Sequence, residues 1–247
     1  ILSACATHPG NVLAPVAETA PDVSKVDMLV ATTREPVSDP GTLFSGERAT
    51  AISMTNIVVS LPPDKNRKIG EIQWPSRLPG NPAKDFVTLK TEGLGSESRV
   101  LDWLKRNRGP KRRVLIFVHG FNNTYSDAVY RFAQIAHDAR TGAAPVLFTW
   151  PSRASMFDYV YDKESTNFSR FALEELLRQA VKSPDVTEVT VLAHSMGSWL
   201  AVEALRGMAM RDNGISPKIR NVVLAPPDID VDVFRRQLIE IIDGHRA

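Results

Sequence analysis

Ser195 stands in Ala193-His-Ser-Met-Gly197, at the end of the apolar run Val189-Thr-Val-Leu-Ala193 and directly before a second apolar stretch. A serine at a sharp turn from strand to helix has its Oγ free to attack a carbonyl carbon. The residues two before and two after it must then be small for the chains to pass. Ala193 and Gly197 fill those places, so the motif reads A-x-S-x-G where the common pattern is G-x-S-x-G, a difference of one methyl group. The competing reading is helix capping, since serine is also a favoured N-cap residue.

Acyl transfer further needs two backbone N–H groups aimed at the developing oxyanion, one from the residue after the nucleophile and one from the loop after an earlier strand. Met196 is the first donor. Arg113-Val-Leu-Ile-Phe-Val118 followed by His119-Gly-Phe-Asn-Asn123 has the form of the second, with Phe121 or Asn122 donating and Gly120 allowing a close approach. His119 precedes the serine and is read as a brace for this loop rather than as the base. His194 adjoins the nucleophile, but neighbouring side chains of a strand point to opposite faces.

Where such an elbow occurs, the order along the chain is nucleophile, acid, histidine. Asp228, Asp230 and Asp232 follow the next strand, and Asp228 is the candidate acid; the alternative is that this turn caps the following helix. His245 follows Ser195 and is the candidate base, the alternative being a solvated terminal side chain.

The elements that must position these residues alternate. Residues 145–150 and 221–225 read as strands, 168–181 as an amphipathic helix, and 199–210 as the helix behind the elbow. Upstream, residues 26–31, 57–60 and 85–89 are short strand candidates separated by prolines and glycines, expected to form a partly antiparallel edge. The pattern implies an α/β domain with a mostly parallel sheet and helices on both faces. If the strand before His119 is the third, those ending at Trp150, His194 and Ala225 are the fourth to sixth, followed only by a helix over residues 233–242.

Taken together, the chain resembles the α/β-hydrolase fold, and more closely a bacterial family of lipoprotein-type α/β hydrolases of unknown function. The likeness is carried by Ala31-Thr-Thr-Arg34, Leu43-Phe-Ser-Gly-Glu-Arg48, Phe117-Val-His-Gly-Phe-Asn122, Tyr130-Arg-Phe-Ala-Gln-Ile-Ala-His-Asp138, Phe148-Thr-Trp-Pro-Ser-Arg153, Ala193-His-Ser-Met-Gly197 and Leu224-Ala-Pro-Pro-Asp-Ile-Asp230. The resemblance implies a serine esterase acting on a small-molecule ester or acyl substrate, with no cofactor. It also implies that the last two strands of the fold are missing, so that residues 23–247 form a domain incomplete at its C-terminus.

The chain opens on Ile1 rather than Met, and Leu2-Ser-Ala-Cys5 has the form of a bacterial lipobox. Residues 1–22 are accordingly expected to be lipobox and disordered tether, with Cys5 lipidated and Ala6 in the position that sorts to the outer membrane. The resulting location is the periplasmic face of a bacterial membrane. The alternative is one incidental cysteine in a leader. No apolar stretch approaches the roughly 18 residues that span a bilayer, so membrane contact is expected through lipid alone.

Composition narrows the remaining classes. At 43% hydrophobic, 247 residues suffice for one large domain. A net charge of +2 and one basic cluster over residues 105–113, lacking stacking aromatics, argue against nucleic acid and for a solvated turn. The histidines are scattered without paired spacing, which argues against a metal. Trp150-Pro-Ser-Arg153 and Met156-Phe-Asp-Tyr-Val-Tyr161 fall where α/β enzymes bind ligands, as an apolar wall, a lid or ordinary packing. Two rival functions stand beside the esterase: a non-catalytic envelope lipoprotein that uses the fold for binding or structure, and an inactive piece of an enzyme.

Overall fold

A computed structural model describes residues 9–17 and 19–243. Three strands precede the one that ends before His119: β1 (Ser24–Pro36), β2 (Phe44–Leu61) and β3 (Val87–Gly93). The expected short segments are therefore pieces of longer ones. β1 and β2 pair as an antiparallel ribbon from Ser24↔Leu61 to Pro36↔Phe44, with irregular register around Arg34. After α1 (Glu97–Asn107) come β4 (Arg113–Val118), α2 (Tyr125–Ala139), β5 (Ala144–Thr149), α3 (Tyr159–Lys182), β6 (Glu188–His194), α4 (Met196–Asp212), β7 (Ile219–Ala225) and α5 (Val231–Asp243).

The seven strands form one sheet in the order β3-β2-β1-β5-β4-β6-β7. β1, β5, β4, β6 and β7 run parallel, so all five C-terminal ends lie on one edge. The strand before His119 is thus the fourth, not the third. Among the described residues no strand follows β7.

The period of two along each strand divides the core between the two faces of the sheet. Leu29, Ala31, Ile116, Val118, Phe148, Val191 and Ala193 pack with Trp103 of α1, Leu173 and Leu177 of α3, and Leu200 and Leu205 of α4. Their neighbours Met28, Val30, Leu115, Phe117 and Leu147 pack with Ala128, Val129 and Phe132 of α2. Helices thus cover both faces, as the alternation of elements implied. α2 starts at a capping box in which Thr124 and Asp127 satisfy each other's backbone N–H groups.

Three further expectations are corrected. Lys105 and Arg106 close α1 rather than belonging to a turn. The helix expected over 168–181 begins at Tyr159, because the apolar and polar residues after Asp158 continue its period. Residues 9–17 are not a free tether: Val12 and Leu13 are buried, Leu13 N–H donates to Gly41 O at 3.1 Å, and Val16 N–H to Thr88 O at 2.9 Å. Two apolar side chains and a set of backbone donors outweigh the Pro/Ala/Thr composition that suggested disorder. Cys5 and His245 lie outside the described residues.

Candidate active site

β6 ends at His194 and α4 begins at Met196, leaving Ser195 alone in the turn with φ 52° and ψ −126°. A non-glycine residue in that region is strained by roughly 1–3 kcal/mol and persists only where its surroundings over-determine it. Here they do. Ser195 N–H donates to Ala225 O at 2.9 Å, while Ser195 O accepts from Ser198 N–H at 2.9 Å and Asp228 N–H at 3.2 Å. The capping alternative fails: the Ser195 side chain makes no cap hydrogen bond, and among the described residues its Oγ has no hydrogen-bond partner.

The two small residues of the motif have unequal duties. A Cβ at position 197 would stand 2.2 Å from His119 O and 2.7 Å from Val118 O, so only glycine fits where α4 crosses the end of β4. Ala193 sits fully buried in the core beneath the elbow, where its methyl group finds room. A Cβ on Gly120 would lie 2.9 Å from Ser195 Cβ, which places the 119–123 loop directly against the serine.

His119 is buried and braces that loop. Its Nδ1 lies 2.8 Å from Gly120 O, so Nδ1 carries the proton, and Nε2 accepts from Trp150 N–H at 3.1 Å beside Thr149 Oγ1 at 2.9 Å. The ring stacks on Trp150 with centroids 4.8 Å apart. Burial, reinforced by the Arg34 charge, pulls its pKa down to about 3, which keeps it neutral. Of the other described histidines, His137 lies 2.9 Å from Asp64, and exposed His194 has its Nδ1 against Gly120.

The three aspartates after β7 separate by role. Asp230 Oδ1 accepts from the N–H groups of Asp232 and Val233 and so caps α5, while Asp232 pairs with Arg235. Asp228 is bonded to the elbow through its backbone, and its carboxylate accepts the Tyr159 hydroxyl at 3.0 Å. Tyr159 meets Phe121 edge-on at 5.3 Å, and burial together with Asp228 raises its pKa. Of the segment expected as a wall, a lid or ordinary packing, Tyr159 stands beside the loop, while Met156, Phe157 and Val160 are exposed.

Residues 96–247 match the family described as alpha/beta hydrolase of unknown function (DUF900). The chain belongs to this family. The match takes in the elbow, the 119–123 loop and the turn carrying Asp228. A curated relative, the uncharacterized protein alr1448 of Nostoc sp. (strain PCC 7120), is 28% identical over 140 residues, which cover 44% of this chain and 36% of the relative. The chain thus spans about a third of the length of that relative.

Sequence reasoning passed over one component of this α/β-hydrolase site. Arg34, 1% exposed at the irregular end of β1, donates from Nε to Thr149 Oγ1 (2.9 Å), from Nη1 to Ser152 O (2.9 Å) and Ser45 O (3.2 Å), and from Nη2 to Asn123 O (2.8 Å). Asp162 at the start of α3 accepts from Ser152 Oγ at 2.5 Å and Arg153 N–H at 3.0 Å, fixing the loop after β5. Burial lowers the guanidinium to about 10, with Asp162 acting against the shift, so it is charged at neutral pH. The available signal was the polar Thr-Thr-Arg at the end of an otherwise apolar strand.

Proposed function

We propose that this protein is a serine hydrolase that cleaves carboxylic esters through an acyl-enzyme on Ser195. The observation that supports this most strongly is the strained, uncapped Ser195 between a parallel strand and a helix, with Gly120 packed against it. In this reading Ser195 Oγ attacks the ester carbonyl, and the N–H groups of Met196 and of Phe121 or Asn122 receive the charge on the carbonyl oxygen. Two orphan donors at the start of a helix and in a loop suit that task. A base takes the serine proton, delivers it to the leaving alcohol, and then activates water to release the acid.

His119 and His137 are engaged in other contacts, His194 precedes the serine in the chain, and His245 is the candidate base within this chain. Asp228, joined to the elbow by its backbone, is the candidate acid. Lipidation of Cys5 and attachment to the periplasmic face of the outer membrane belong to the same proposal, supported by Leu2-Ser-Ala-Cys5. No helix among the described residues is long and apolar enough to cross a membrane.

Hydrolysis of p-nitrophenyl acetate and butyrate by the chain and by its Ser195→Ala and His245→Ala variants tests the proposal. Turnover that falls by at least about a thousandfold in Ser195→Ala is expected. Turnover unaffected by that change, or none in the unaltered chain, would overturn it in favour of a binding role.

A further inference from the structure

The peptides of the 119–123 loop are trans, the one cis bond among the described residues being Leu78-Pro79. In a trans peptide the C=O and the following N–H point in opposite directions. Fixing the carbonyls of this loop therefore fixes where its amides point. Gly120 O is held by His119 Nδ1 at 2.8 Å and Asn123 Nδ2 at 3.1 Å, which turns the Phe121 N–H the other way. Phe121 O is held by the same Asn123 Nδ2 at 2.8 Å, which turns the Asn122 N–H away in the same manner, with Asn122 at φ 60°. Neither amide makes a hydrogen bond among the described residues, whereas Asn123 N–H is taken by Ser152 Oγ at 3.1 Å.

Everything that fixes those carbonyls converges on one cation. Arg34 Nη2 binds Asn123 O at 2.8 Å, its Nη1 binds Ser152 O at 2.9 Å, and its Nε binds Thr149 Oγ1 at 2.9 Å, the hydroxyl that in turn meets His119 Nε2. Among the described residues its hydrogen bonds go to neutral oxygens. A buried charge so placed carries a desolvation cost that an apolar side chain of the same size avoids. What the guanidinium supplies instead is a rigid planar fork that ties β1, β5 and the loop together.

We propose that Arg34, acting through Asn123 and through Thr149 and His119, is the positioning residue that presets the Phe121 and Asn122 amides, from which the loop's donor to the oxyanion hole beside Met196 is drawn. This rests on the serine-hydrolase reading above. Arg34 belongs to β1, outside the residues 96–247 that match the family, so on this proposal β1 supplies part of the catalytic geometry as well as part of the sheet.

Asn123→Asp is the main test, because it keeps the shape of the side chain and replaces the carbonyl-binding NH₂ with an oxygen. Arg34→Lys, which keeps the charge and loses the fork, is the second. In both, kcat for p-nitrophenyl butyrate is expected to fall about a hundredfold, as on loss of an oxyanion donor, with KM within about threefold. A merely structural role would lower the melting temperature without that split. In ¹H–¹⁵N spectra, Asn123→Asp is expected to move or broaden the Phe121 and Asn122 amide resonances while leaving those of α5 in place. Unmoved loop resonances, or an unchanged kcat in a turning-over protein, would overturn the clamp. A wild-type protein that takes no serine-directed phosphonate label overturns the hydrolase reading instead, and the resonances still report on the loop.

Discussion

At the scale of single residues, the site is a set of close approaches that only certain side chains permit. Gly197→Ala would push a Cβ into the His119 carbonyl, and neither partner is a flexible side chain. Thermal unfolding of that variant is expected to show a loss of about 3 kcal/mol or more. His119 makes a separate prediction in pH. The unfolded chain protonates this histidine near its ordinary 6.5, whereas the buried ring resists protonation until about 3. Its contribution to stability is therefore complete above pH 6.5 and is lost as pH falls from 6.5 toward 3. Melting temperatures measured from pH 7.5 to 4 should show wild type losing its lead over His119→Gln in that window; a constant gap would contradict the neutral brace. Ser195, Gly197 and Gly120 were legible in the sequence because their spacing is a local constraint. Arg34 and Asp162 were not, because Arg34 ties Ser45, 11 residues away, to Asn123, Thr149 and Ser152, 89 to 118 residues away, Asp162 binds 9 and 10 residues back, and a single charged letter carries no record of what it binds.

At the scale of elements, periodicity located the parallel strands well and the N-terminal third poorly. β4 and β5 are continuous apolar runs closed by polar or small residues, which is how strands buried on both faces read, while β6 alternates and β7 shows only its apolar end, Val222 to Ala225. β1 and β2 are long because they pair with each other beyond the core, where exposed residues such as Glu47 and Thr50 give no apolar signal. The segment before them misled for a different reason. Its composition resembles a linker, but Val12 and Leu13 fill a gap beside Phe86 and Tyr130, and Tyr130 Oη donates to Val12 O at 2.9 Å. Leu13→Ala is accordingly expected to cost about 2–5 kcal/mol in urea unfolding, as a core truncation does. A change under about 0.5 kcal/mol would mean that residues 9–17 are a tether after all.

At the scale of the whole molecule, the candidate site gathers on one edge because five parallel strands end there. Loops after β1, β4, β5, β6 and β7 each contribute, and a cleft of about 760 Å³ opens between Arg34, Asn122, Tyr125 and Ser152 on that edge. The opposite feature is β7, which among the described residues has no strand on its outer side. Val222 and Val223 are 42% and 47% exposed, and Ile239 and Ile242 of α5 are exposed as well. An open apolar edge strand favours association between chains. This chain at high concentration is expected to self-associate in sedimentation, and Val223→Lys to reduce it; equal behaviour of the two would show that the edge is covered.

The central claim is that the elbow serine is a nucleophile, and covalent labelling addresses it without assuming a substrate. The protein is treated with a fluorophosphonate and the modified peptide is located by mass spectrometry, with Ser195→Ala alongside. One adduct is expected, on Ser195 in Ala193-His-Ser-Met-Gly197, absent from the alanine variant. An adduct on another serine, or none under conditions that label a control hydrolase, would contradict it.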